Sequence, residues 1–159
     1  MAARALVIGL ASSVLALCAC GGSSSPAPST KVPGNADPAD VAVIKGWVDT
    51  LRRGEVGKAA AYFEIPSVVQ NGGPPLRIRS RRGALLFNAS LPCGAALVRA
   101  VRHGPFTIAS FRLTERPGRG RCGRGAGDLA KVAFRVRDTK IVQWRRVPTG
   151  GAPAPGTAL

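Results

Sequence analysis

The 159-residue sequence predicts an α+β domain. Three observations carry this. Apolar residues recur at helical spacing over 41–63, period-two alternation fills 131–147, and turn residues separate the short segments between them. Two helices, short strands, a further helix-like stretch and then longer strands fall within the length of one domain. With 45% apolar and 19% charged residues, the chain is not a disordered polar one.

Taken in order, the chain opens with an address. Met1 to Arg4 carries one positive charge, and Ala5 to Leu17 is a 13-residue apolar run interrupted only by Ser12 and Ser13. A membrane-spanning helix needs about 20 apolar residues, so this run predicts a secretory signal. Its end, Leu17-Cys18-Ala19-Cys20, resembles the bacterial lipoprotein box, in which an aliphatic, a variable and a small residue precede a lipidated cysteine. The resemblance implies a signal peptide over 1–19, acyl chains on Cys20, and a domain held on the extracytoplasmic face of the cell membrane. More than one chain is needed for stable anchoring. The alternative is a plain secreted protein whose two signal cysteines are incidental. Residues 20–36, with Gly21 to Pro28 reading GGSSSPAP, form a flexible tether reaching roughly 20–25 Å.

Export leaves Cys93 and Cys122 as an even pair in an oxidising compartment, and predicts a disulfide closing a 30-residue loop. Two buried thiols or a metal site are the alternatives. The metal is disfavoured, because neither cysteine has a second one within ligand spacing and His103 is the sole histidine. No metal and no cofactor are expected.

The folded part begins at Asp37, a candidate cap, with Pro38 at the first helical position and Asp40 placed to reach back. Val41, Ile44, Val48 and Leu51 follow at helical spacing beside Trp47, and Gly54 is a stop. A second helix is predicted over 55–63, ended by Pro66. Val68 to Gln70 and Leu76 to Arg79 read as short strands around the turn Asn71-Gly72-Gly73-Pro74-Pro75. Residues 83–103 are mixed: Pro92 breaks them and 95–102 is helix-like. Phe106 to Leu113 is strand-like, Pro117 to Gly127 is a Gly/Arg loop, and Lys131 to Arg137 and Ile141 to Val147 form a hairpin around Asp138-Thr139-Lys140. The tail over 148–159 reads as disordered.

The order of elements and the closing run from Val132 to Val147 resemble the nuclear transport factor 2-like superfamily, including its SnoaL-like branch. Thr139 stands where that hairpin usually has glycine. The resemblance covers about 37–147. It implies a cone in which N-terminal helices pack on a strongly curved, mainly antiparallel sheet, often around a pocket. By this resemblance Trp47, Tyr62, Val132, Phe134 and Val136 line the pocket.

Charge is uneven. Lys31 to Glu64 holds five bases and five acids, whereas Arg77 to Arg146 holds seventeen bases against Glu115, Asp128 and Asp138. Arg77 and Arg79 share one strand face, as do Arg135 and Arg137, opposite their apolar alternates. These arginines are expected to coat the outer face of the sheet and to attract anions. A solvated sheet face is the plainer alternative. Arginine outnumbers lysine 18 to 5, which codon bias explains, but the shortage of acids is not so explained.

Gly118-Arg-Gly120-Arg-Cys-Gly123 matches G-x-G-x-x-G, yet it lies in a loop between strands and not in a βαβ unit, so dinucleotide binding is rejected. Its glycines, with Arg119, Arg121 and Arg124, can form an anion nest or a plain connection. Asn88-Ala-Ser90 is a glycosylation sequon without consequence in a bacterium. Enzymes resembling ketosteroid isomerase or SnoaL-type cyclases need an Asp, His or Tyr in the pocket, and the candidates are Asp49, Tyr62 and His103. None sits in a catalytic motif. The leading expectation is a lipid-anchored, non-catalytic domain that holds a small apolar or amphipathic ligand in the cone, or a partner on its basic face. An isomerase-like envelope enzyme and an accessory lipoprotein binding anionic polymers or phospholipid headgroups are the alternatives. An exported chain rarely meets nucleic acid, which argues against that partner.

Overall fold

The structure, a computed structural model, describes residues 34–118 and 120–148. The lipoprotein-box cysteine Cys20, Arg119 and the tail after Pro148 lie outside the described residues.

Helix α1 (Pro38–Arg52) opens as the sequence predicts. The Asp37 carboxylate accepts the Ala39 N–H at 2.8 Å, and Pro38 occupies the first turn, where no N–H is needed. Asp40 does not reach back to close a capping box. Its carboxylate accepts the Thr107 hydroxyl at 2.7 Å and ties the start of α1 to the sheet. Gly54, at φ +78°, ends the helix in the left-handed region.

Helix α2 (Val56–Ala60) is shorter than predicted. The chain is already extended at Phe63, and β1 (Phe63–Gln70) runs through Pro66, which follows a cis peptide bond. Proline does not end a helix here. It sits where the β1 register is irregular, between Phe63 and Val68, so its missing N–H interrupts no regular ladder. After β2 (Leu76–Ile78), helix α3 (Arg81–Ser90) is an element that sequence reasoning left undivided. Ser80 caps it by accepting the Gly83 N–H at 3.1 Å.

The expectation of a helix over 95–102 is corrected by β3 (Gly94–His103), which pairs antiparallel with β4 (Phe106–Thr114) along nearly its whole length. The cause of the misreading is visible. A bulge between Leu97 and Arg99 breaks period two, so the residues facing the helices are Leu97 and then Ala100, three apart as on a helix. β5 (Leu129–Arg137) and β6 (Lys140–Val147) form the predicted hairpin, turning at Asp138 and Thr139 with φ of 49° and 61°. Both residues lie in the left-handed region that such two-residue turns demand.

The sheet order is β2-β1-β6-β5-β4-β3, antiparallel except where β1 meets β6. Helix α1 packs on β3 to β6, and α2 packs on α3. The core between helices and sheet is aromatic. Trp47 meets Phe134 edge-on at 5.5 Å and also contacts Phe63, Phe111 and Trp144, while Phe87 closes on Trp144 at 5.1 Å. Trp47 and Phe134 are buried.

Candidate functional site

Small residues on the helix-covered face of the sheet leave room beside this aromatic cluster. Ala95, Ala130 and Val132 stand next to Phe111 and Trp144, and across from them α1 presents Trp47, Val48 and Leu51. Together they enclose a cavity of about 310 Å³. Its size falls at the lower end of small-molecule sites. Leu91, Pro92 and Cys93 close one side.

Polar groups gather where the cavity meets solvent. Asn71, Asp128 and Arg146 are exposed residues of its lining. Arg146 is placed there by register: it lies opposite Val132 on the face that α1 covers. Trp144 is buried, and its indole N–H has no acceptor among the described residues. By contrast the Trp47 N–H is satisfied by Asn88 Oδ1 at 2.8 Å.

The Cys93–Cys122 disulfide is formed, with sulfurs 2.08 Å apart. It ties the β4–β5 connection to the cavity rim, because Cys93 and Gly125 both belong to the lining. The glycine-rich loop does hold an anion, but its own. Glu115 accepts the amides of Cys122 at 3.1 Å and Gly123 at 2.9 Å through its two carboxylate oxygens. Arg121 and Arg124 are exposed around this internal nest.

The residues singled out in the sequence are dispersed. Trp47 and Val132 line the cavity. Phe134 lies in the core against Trp47, Val136 packs at the margin of that core, and the Tyr62 ring lies over Gly46, where a Cβ would fall 2.5 Å from its hydroxyl oxygen. Asp49 is held in ion pairs with Lys45 and Arg52 on α1. His103 is exposed at the far end of β3, beside the Gly104 turn. Asp49, Tyr62 and His103 are not among the residues that line the cavity. Among the described residues there is no cluster of three metal-ligating side chains. Sequence reasoning missed Asp128 and Arg146. Strand alternation would have found Arg146, since it shares a face with Trp144.

Asn88, the sequon residue, is fully buried, so it carries no glycan in the folded chain. Arg77, Arg135 and Arg137 lie around a separate recess on the sheet face away from the helices, and Arg79 is exposed beyond the end of β2.

No family profile and no curated protein match the chain. Solved structures do. A candidate ketosteroid isomerase of Kribbella flavida aligns at a TM-score of 0.52 and 22% identity, over 74% of this chain and 84% of its own. A nuclear transport factor 2-like protein of unknown function from Mesorhizobium loti aligns at 0.52 and 14% identity, over 75% and 100%. A candidate polyketide cyclase of Sinorhizobium meliloti aligns at 0.52 and 13% identity, over 67% and 94%. At these identities the likeness is one of fold.

Proposed function

We propose that this chain, whose fold is nuclear transport factor 2-like, is an extracytoplasmic lipoprotein anchored through Cys20 that holds a small apolar or amphipathic ligand without transforming it. The observation that carries the reading is the cavity: a mainly aliphatic interior with Trp47, Phe111 and Trp144 in its wall, and Asn71, Asp128 and Arg146 as exposed polar lining. Such a chamber takes the apolar body of a ligand inside and leaves its polar end at the rim. The non-catalytic part is supported by where Asp49, Tyr62 and His103 stand, away from the lining. The anchor is supported by the sequence around Cys20 and the tether that follows it.

Native mass spectrometry of the domain from Lys31, after exposure to a bacterial envelope lipid extract, tests the binding. A discrete added mass is expected, and a bare protein mass overturns the reading. Cys20→Ser should release the chain from the membrane fraction, and its retention there would remove the anchor.

The names of two structural neighbours favour a second reading, an isomerase- or cyclase-like enzyme. Asp128 is the one carboxylate in the lining among the described residues and would be its base. Recovery of a bound species chemically altered by the wild-type domain, but not by Asp128→Asn, would establish that reading in place of the first.

A further inference from the structure

The sheet face away from the helices carries a recess distinct from the cavity. Register builds it. Arg77 of β2 pairs with Val68 of β1, Val68 with Gln143 of β6, and Gln143 with Arg135 of β5. These four residues form one row across four strands, offset by one position from the buried Val69, Trp144 and Phe134. Arg137, two positions past Arg135, projects to the same side. The resulting recess measures about 230 Å³, with Pro66, Val68 and Val142 as its apolar part and Ser67, Arg77, Arg135, Arg137 and Gln143 as its polar part.

Among the described residues, no carboxylate lines this recess. Among the described residues, none of its three arginines forms an ion pair. Three arginine side chains therefore border one recess with no carboxylate in its described lining. Each offers a planar fork matched to two oxygens of an oxyanion. A tetrahedral anion can satisfy forks arriving from two different strands, whereas a planar carboxylate presents only two oxygens in one plane. The apolar part suits the carbon attached to an ester oxygen. We infer that this recess binds a phosphate group, as a phosphomonoester or phosphodiester, carried either by a lipid headgroup or by a soluble or polymeric phosphate. The inference is independent of the cavity and of its ligand.

The test titrates inorganic phosphate into the full chain, held in micelles of an uncharged detergent, and follows binding by calorimetry. Arg77→Gln/Arg135→Gln/Arg137→Gln should weaken phosphate binding by about tenfold or more. The control Arg99→Gln/Arg112→Gln/Lys131→Gln removes the same charge from elsewhere on the sheet, and should change binding less than about threefold. Equal weakening by both sets would reduce the effect to diffuse charge and overturn the site, as would absence of binding by the wild type. Arg135→Lys keeps the charge and loses the fork. It should weaken binding measurably at an unchanged melting temperature, and wild-type affinity in that variant would overturn the fork geometry. Doping the micelles with phosphatidylglycerol identifies the source. Displacement of phosphate supports a headgroup as the natural occupant, and undiminished phosphate binding supports a soluble or polymeric one.

Discussion

Asn88 on α3 receives the Trp47 indole N–H from α1 at 2.8 Å, and its own amide donates to the Ala84 carbonyl at 2.8 Å. The pair joins two helices through the centre of the core, and both residues are buried. Asn88→Ala leaves the Trp47 donor without a partner in an apolar setting. The expected loss is about 2–3 kcal/mol, read as a lower denaturation midpoint in urea with an unchanged slope.

Arg116 is the other buried polar group that holds α3. Its guanidinium donates to the Leu91 carbonyl at 2.6 and 3.0 Å and to the Ala89 carbonyl at 3.3 Å, at the negative end of the helix. Burial pulls its pKa below the usual arginine value. A base whose folded pKa is lowered costs stability while protonated, and that cost is relieved only in strongly alkaline solution. Across neutral pH its contribution should therefore be flat. Arg116→Met should cost about 2–3 kcal/mol, and Arg116→Lys should recover less than half, because one ammonium cannot span both carbonyls.

The disulfide and Glu115 act on the same loop. Replacing Cys93 and Cys122 by serine should lower stability by about 3–4 kcal/mol in denaturant, and reductant should do the same to the wild type. Glu115 holds the amides of Cys122 and Gly123 in the same loop.

Thr139 is a β-branched residue at φ 61° in the β5–β6 turn. Thr139→Gly should stabilise the chain by about 0.5–1 kcal/mol, since glycine adopts this conformation without steric cost. A lower melting temperature in that variant would contradict the turn geometry.

Ala130 is half-buried in the cavity wall. Ala130→Phe should fill the space, abolish the added mass in native mass spectrometry and leave the melting temperature within a few degrees. Ligand retention at full occupancy would place the binding site elsewhere.

Much of this was legible in the sequence. The cap at Asp37-Pro38, the stop at Gly54 and the alternation of β5 and β6 are local signals, each written within a few residues. Their chemistry decides them whatever surrounds them. The tertiary structure alone decided the rest. Residues 95–102 became a strand because β4 offered a pairing edge and a bulge absorbed the misfit, which no local periodicity reveals. Asp40 took Thr107 as its partner and Glu115 occupied the nest that the glycines offered, because each group was nearer to hand in the fold than in the chain. Arg77 lines one recess with Arg135 and Arg137 only because β1 lies parallel to β6 and brings β2 into the same sheet. Strand alternation states which face a side chain takes, but the order and register of strands state which side chains share it, and that depends on contacts distant in sequence.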